Sequence, residues 1–165
     1  MAISGLVITY NEEKNIGKCI DALFEVCDEV IIVDSLSADN TVKIAEEKGA
    51  KVISQKFLGD GPQRTHGLPF CKNDWVLNLD ADEFLDKDAK EFILKEKYLE
   101  GNYDAFSFRV KNFLADELID FSGWYPDHKV RFFNKKTAKP SEAKVHQKIE
   151  TTNEKKVAVH ILHYG

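Results

Sequence analysis

The chain has 165 residues, of which 43% are hydrophobic and 31% charged, and its formal net charge is −5. This length and apolar content suit one domain with a hydrophobic core. No run approaches the roughly 20 apolar residues of a membrane-spanning helix, so we expect none. The three cysteines are odd in number and lack CxxC spacing, so we expect reduced core thiols in a cytosolic protein rather than a disulfide framework.

The positive charge is concentrated late in the chain. Residues 128–156 carry nine Lys or Arg and three Glu, a net +6, and the remainder carries −11. Such a stretch is either an ordinary solvated face or a contact for an anionic membrane or a phosphorylated ligand. No nucleic-acid-binding motif accompanies these side chains, so we expect no nucleic-acid partner.

The first half alternates strand and helix patterns. Strands are predicted at 3–9, 29–34, 52–54 and 75–79. Helices are predicted after an Asn11 cap, at 41–48, from Gln63 to Pro69, and at 86–100 with Asp86 as cap. This order predicts an α/β fold with a mostly parallel central sheet flanked by helices, and a ligand at the carboxyl ends of the strands.

The second half changes to half-exposed strand patterns. Strands are predicted at 106–110, 118–121, 130–133, 145–151 and 156–162, some of them antiparallel. No repeat or linker divides the chain, so we expect a single domain over 1–165. The sequence stops just after an apolar strand, and we expect a missing C-terminal segment.

Three carboxylates, Asp80, Asp82 and Glu83, follow the apolar run 75–79. In an extended chain, Asp80 and Asp82 would point the same way and would repel each other unless a hard divalent ion sat between them. The alternative is a plain strand-to-helix turn. Polar groups also follow strands 3–9 and 29–34, and neither GxGxxG nor a P-loop is present to explain that edge. Asp34 is interpreted there as an acceptor for a base or ribose.

At this point the motifs resemble a known family. The segments 7–13 (VITYNEE), 32–41 (IVDSLSADNT) and 79–83 (LDADE) resemble the inverting family 2 glycosyltransferases of the GT-A fold. The segments 124–127 (WYPD), 131–133 (RFF), 145–146 (VH) and 162–164 (LHY) resemble more closely the lipopolysaccharide-core glucosyltransferase branch. The resemblance covers essentially the whole chain.

The resemblance implies a nucleotide-diphosphate-sugar donor, a Mg²⁺ or Mn²⁺ ion and inversion at the anomeric carbon. The nucleoside would be held by the backbone near Thr9 and Tyr10, the Glu12 side chain and Asp34. Asp80 and Asp82 would meet ribose, metal and pyrophosphate, with Asp82 the nearest metal ligand.

Three further residues have two interpretations each. His163 matches a histidine that completes the metal shell in GT-A enzymes, and it is otherwise a hydrogen-bonded strand histidine. His160 would face the opposite side of a strand, so at most one of the two is a ligand. Arg64 would contact the donor phosphate or be an ordinary surface arginine. Arg131 would do the same or form a structural ion pair.

The general base is the unusual feature. Relatives commonly have Glu after the histidine of the 145–146 segment, whereas this chain has Gln147, whose amide cannot accept the proton. Asp127 is the substitute prediction, and its alternative is a turn aspartate after proline. Trp124 and Tyr125 offer surfaces on which a sugar ring could stack, or they are core aromatics.

These patterns predict transfer of a hexose, with glucose favoured, to a glycan or lipid-linked acceptor of lipopolysaccharide or another surface polysaccharide. Residues 1–101 would bind the donor and 102–165 would face the acceptor, at the cytoplasmic face of the plasma membrane. Two alternatives remain. The first is a non-catalytic nucleotide-sugar-binding domain, which Gln147 favours. The second is a sugar nucleotidyltransferase, which should have a Gly-rich basic loop after the first strand, where this chain has Tyr-Asn-Glu-Glu.

Overall fold

A computed structural model describes residues 2–114, 117–119, 127–142, 148–151 and 153–164. Its helices are α1 (Ile16–Phe24), α2 (Thr41–Glu47), α3 (Asp60–Gly67) and α4 (Lys87–Leu94). Its strands are β1 (Ile3–Thr9), β2 (Glu29–Asp34), β3 (Lys51–Ser54), β4 (Trp75–Asn78), β5 (Glu83–Leu85), β6 (Ala105–Leu114), β7 (Glu117–Ile119), β8 (Asp127–Asn134), β9 (Lys139–Pro140), β10 (Ile149–Glu150) and β11 (Glu154–Tyr164).

Nine of these strands form one sheet, in the order β3-β2-β1-β4-β8-β6-β11-β5, with β7 paired to β6. The first four run parallel, as predicted. Strand β8 joins them antiparallel to β4 and to β6, whereas β11 is parallel to β6 and antiparallel to β5. Strands β9 and β10 form a separate hairpin.

Both faces of the parallel strands are buried. In β1, Ile3 and Val7 belong to one apolar cluster and Leu6 to another on the opposite face. Side chains alternate across a strand, so a continuous β-branched run such as 30–33 can serve both clusters. Helix α1 packs on the first face through four buried residues at helical spacing: Ile16, Cys19, Ile20 and Leu23.

Three predicted helix boundaries are wrong, and one short strand of the main sheet was missed. Asn11 does not cap α1, because it has φ +51° and its Oδ1 accepts a hydrogen bond from the Ala38 N–H. The predicted helix 86–100 ends at Leu94, because Glu96 adopts the left-handed conformation before a short 3₁₀ turn. Helix α3 begins at Asp60 rather than after the predicted Gly59–Pro62 loop. Strand β5 was not predicted.

Two local predictions are confirmed. Asp86 caps α4 by accepting the Ala89 N–H at 2.8 Å. Cys19, Cys27 and Cys71 are buried free thiols. Within the described part of the chain, every helix is too short or too polar to cross a bilayer.

Candidate functional site

The carboxyl ends of β1, β2 and β4 meet beside a cavity of about 630 Å³. Six of the residues predicted from sequence line it: Thr9, Tyr10, Glu12, Arg64, Asp80 and Asp82. Parallel strands bring their carboxyl ends to one edge of the sheet, so residues more than 70 positions apart converge there. The structure therefore places most of the predicted donor-site residues around one cavity.

The two aspartates do not project from a strand as predicted. Strand β4 ends at Asn78, and the Glu83 N–H donates to the Asp80 carbonyl at 3.0 Å, which closes a turn. The Asp80 and Asp82 side chains consequently have different partners. The predicted extended conformation of 80–82 is therefore wrong, although both side chains line the same cavity.

Asp80 is held by two arginines. Arg64 Nη2 lies 2.8 Å from Asp80 Oδ1, and Arg131 Nη2 lies 3.8 Å from Asp80 Oδ2. Burial raises the pKa of Asp80, but the two guanidinium groups outweigh it and hold that pKa below its usual range. Asp80 is therefore a carboxylate, and its charge is neutralised from within the protein.

Arg64 is a buried residue of α3, and the surface-arginine interpretation is wrong. Its side chain is 3% exposed, and Nη1 donates to Asn78 Oδ1 at 2.7 Å. Its Nη2 also contacts Asp60 at 3.2 Å. Because α3 is a helix, the guanidinium is fixed against the carboxyl end of β4.

Glu83, named in the sequence analysis only as the third carboxylate after β4, has a structural role that the sequence did not indicate. It is 2% exposed, and its carboxylate accepts from Arg131 Nε and Nη2 at 3.2 Å each. Its Oε1 also accepts the Asp80 N–H at 2.9 Å. Arg131 thus forms the structural ion pair, and Glu83 links that pair to the Asp80 turn. The sequence signal that could have identified Glu83 is its position directly before the apolar residues Phe84 and Leu85.

Asp82 faces His163. Strand β11 pairs with β5 and β6, which places His163 Nε2 3.0 Å from Asp82 Oδ2 and Nδ1 2.9 Å from Asn112 Oδ1. The hydrogen bond to Asp82 raises the pKa of His163, and partial burial opposes this effect. The hydrogen bond to the Asp82 carboxylate requires a proton on His163 Nε2, so a proton lies between these two side chains.

Two of the three predicted metal ligands are therefore in contact. No group of three His, Cys, Asp or Glu side chains converges among the described residues. Asp82 nevertheless supplies an oxygen at the cavity wall, and His163 supplies a nitrogen 3.0 Å from it. Mg²⁺ in particular often takes only one or two protein ligands beside phosphate oxygens and water. The donor set fits a divalent ion that shares its coordination with a ligand. His160 lies elsewhere, 3.4 Å from Asp86.

Asp34 is the last residue of β2 and does not itself line the cavity. It is 1% exposed, and its two oxygens accept the Ser37 hydroxyl at 2.6 Å and the Ser37 N–H at 2.8 Å. Ser35 lines the cavity beside it. Thr9 Oγ1 is buried and has no hydrogen-bond partner among the described residues, which leaves one polar atom available at this edge.

Several predicted residues lie outside the described part of the chain. Asp127 begins β8, but its side chain is not described. Trp124, Tyr125, His146 and Gln147 are also outside the described residues. The assignment of Asp127 as general base stays a prediction.

Comparison with known proteins follows this geometry. The family model described as "Glycosyl transferase family 2" matches residues 4–151. The lipopolysaccharide core biosynthesis glycosyltransferase LpsC of Rhizobium meliloti is 36% identical over 98 residues, which cover 56% of this chain and 36% of that protein. The matched region spans about a third of the length of the curated relatives.

Solved structures also resemble the chain, among them TarS and glucosyl-3-phosphoglycerate synthase. TarS of S. aureus, crystallised with UDP-GlcNAc, aligns over 100% of this chain and 59% of its own, with a TM-score of 0.69 and 19% identity. Glucosyl-3-phosphoglycerate synthase of Mycobacterium tuberculosis, crystallised with Mn²⁺, UDP and its product, aligns over 68% of this chain and 43% of its own, with a TM-score of 0.50 and 29% identity. The α/β fold of the GT-A glycosyltransferases is confirmed.

Proposed function

Because the chain belongs to glycosyl transferase family 2, we propose that it transfers a hexose, in the first instance glucose, from a nucleotide-diphosphate sugar to a glycan or lipid-linked acceptor. Membership of this family argues against the alternative function of a sugar nucleotidyltransferase. Similarity to LpsC favours an acceptor of the lipopolysaccharide core. The carrying observation is the pairing of Asp82 with His163 beside the cavity that Arg64 and Asp80 also line.

In this proposal the cavity holds the donor. The nucleoside would contact the backbone at Thr9 and Tyr10 and the Glu12 side chain, and Asp34 would act through the turn that it holds. Exposed apolar side chains suit a nucleoside: Tyr10 and Phe57 line the cavity and are 59% and 56% exposed. The glucosyl-3-phosphoglycerate synthase structure with UDP supports a uridine donor.

A divalent ion, Mg²⁺ or Mn²⁺, would be held by Asp82 and His163, and when bound it offsets charge on the departing diphosphate. The chain's own residues prepare the site for it. Arg64 and Arg131 neutralise Asp80, so the carboxylate left for a cation is Asp82. Binding there requires His163 to release its Nε2 proton.

Transfer with inversion is a single displacement. The acceptor hydroxyl oxygen forms a bond to the anomeric carbon, and the bond from that carbon to the diphosphate oxygen breaks with its electron pair. The acceptor proton passes to a general base, for which Asp127 at the start of β8 is our assignment.

The basic segment 128–156 would hold the protein against anionic lipid at the cytoplasmic face of the membrane, and absence of binding to anionic vesicles in a flotation assay would contradict that part.

Calorimetric titration with UDP, GDP and dTDP, with and without Mn²⁺, tests the donor site. We expect one of these diphosphates to bind with Mn²⁺, and Asp82→Ala to weaken that binding by about ten-fold or more. Asp88→Ala, which removes an exposed carboxylate of α4, is the matched control and should bind as the parent does. If none of the three diphosphates binds, or if Asp82→Ala binds equally well, the assignment fails.

Donor turnover separates an enzyme from a non-catalytic binding module, the alternative that Gln147 favours. Incubation with UDP-glucose, UDP-galactose and UDP-GlcNAc, followed by measurement of released UDP, should identify the sugar. Donor binding without any UDP release, in the presence of a core oligosaccharide acceptor, would favour the binding module.

A further inference from the structure

A second cavity of about 490 Å³ adjoins the first. Asp60, Arg64 and Asp80 line both cavities, so these three side chains form the wall between them. The other lining residues come from β8, from Lys148 and Ile149 where β10 begins, and from Glu154 at the start of β11.

The two cavities differ in charge. Four carboxylates, Glu12, Asp60, Asp80 and Asp82, and one arginine line the first. The second is lined by two arginines, two lysines and His128 against the carboxylates of Asp60, Asp80 and Glu154. An anion without a bound metal is therefore repelled by the first cavity and attracted to the second.

The lysines supply the free positive charge of the second cavity. Arg64 and Arg131 are already paired with Asp60, Asp80 and Glu83. Lys129 and Lys148 are exposed, and neither forms an ion pair with any residue that the structure describes. An unpaired ammonium group at a cavity wall is a donor of strong hydrogen bonds to an anionic oxygen.

Lys129 also lies close to the proposed reaction centre. Lys129 lines the same cavity as Asp80 and Arg64, which also line the proposed donor cavity. The register of β8 explains this position: Val130 pairs with Ser107 and Phe132 with Phe106, so Arg131 is an extra residue at a bulge. Bulges redirect side chains and are frequent beside active sites.

We propose that the second cavity binds the acceptor substrate through an anionic group of that substrate, a phosphate ester or a carboxylate, held by Lys129 and Lys148. The inference rests on the proposed function, because a donor in the first cavity must deliver its sugar to a molecule in the adjoining space. It adds the chemical class of the acceptor and two residues that select it.

The test is a titration of the ¹⁵N-labelled chain with inorganic phosphate, followed by two-dimensional NMR at constant ionic strength and with saturating Mg²⁺ and UDP. Bound UDP occupies the first cavity, so phosphate must report on the second. We expect the largest amide shifts at 128–131 and 148–151. Lys129→Gln combined with Lys148→Gln should weaken phosphate binding by about ten-fold or more, since two charge-assisted contacts are lost.

The matched control is Lys43→Gln combined with Lys87→Gln, which removes the same charge from exposed positions on α2 and α4 and should leave phosphate binding unchanged. Glucose 6-phosphate, glucuronate and glucose distinguish a phosphate ester, a carboxylate and the neutral sugar. Equal phosphate affinity in the Lys129/Lys148 variant and the parent would overturn the inference.

UDP affinity separates this inference from the proposed function. The Lys129/Lys148 variant should bind UDP with Mg²⁺ as the parent does. An equal loss of UDP and phosphate binding would assign the lysines to the donor and overturn the inference. If the parent itself bound no UDP, the proposed function would fail, and phosphate titration of the UDP-free protein would still decide whether the second cavity takes anions.

Discussion

The two acids of the segment 80–82 differ in their electrostatic state although they are two residues apart. Asp80 is matched by Arg64 and Arg131, whereas Asp82 is paired with His163. An arginine cannot release its charge near neutral pH, but a histidine can. Asp80 is therefore neutralised by fixed charges, whereas in the proposed metal site a cation would take the place of the proton between Asp82 and His163.

Asp80 should contribute to stability in a pH-dependent way. Its pKa is lowered in the folded protein, so the contribution is complete above the unfolded value of about 4 and is lost as the pH falls through the lower folded value. We expect Asp80→Asn to reduce the free energy of unfolding by about 1 kcal/mol at pH 7, a value between those of exposed and buried pairs because Asp80 is 37% exposed.

Urea unfolding at several pH values between 7 and 3 checks this expectation. The difference between parent and Asp80→Asn should be constant down to about pH 4 and shrink below it. Asp88→Asn is the control for the loss of one exposed carboxylate. A difference that grows on acidification would contradict the assigned ion pairs.

At the scale of elements, α3 decides where the site can form. The helix packs on β1 and β2, and Gly67 at its end is what permits the close approach. A Cβ atom at Gly67 would lie 2.6 Å from Leu6 Cδ1 and 2.7 Å from Val33 Cγ2, both of which are buried side chains. The same packing holds Arg64, one turn earlier, against Asp80.

Gly67→Ala should therefore destabilise the protein by about 1–3 kcal/mol through overpacking. Gly17→Ala is the matched control, because its Cβ would make only ordinary contacts of 3.5 Å and longer. That control should be neutral or stabilising by up to about 1 kcal/mol, since alanine favours the helix. Urea midpoints at constant m-value measure both effects. Equal stability of the two variants would contradict the packing of α3.

At the scale of the whole molecule, the three thiols lie inside the two apolar clusters on opposite faces of the sheet. Burial raises the pKa of Cys19 and of Cys71 to about 12, and nearby carboxylates add to the effect at Cys19. Burial also raises the pKa of Cys27. Since the thiolate is the reactive form, all three should be inert while the protein is folded.

Reaction with a disulfide reagent such as DTNB at pH 7.5 measures this inertness. We expect modification of the native protein to be slower than that of an exposed thiol by on the order of 10³-fold or more. In denaturant, all three thiols should react at once. A fast phase of one thiol in the native protein, assigned by single Cys→Ser variants, would show that one cluster opens locally.

The sequence by itself determined what depends on neighbouring residues. Strands β1, β2 and β4, helix α1 and the Asp86 cap follow from hydrophobic periodicity and local hydrogen bonding, and the edge shared by Thr9, Tyr10 and Asp80 follows from parallel order. Only the tertiary structure decided which charges meet. Arg131 reaches Glu83 across 48 positions and His163 reaches Asp82 across 81, through the placement of β8 and of β11 beside β5. Such contacts depend on the order of strands in the sheet, because periodicity indicates which face a side chain occupies but not which distant residue lies opposite it.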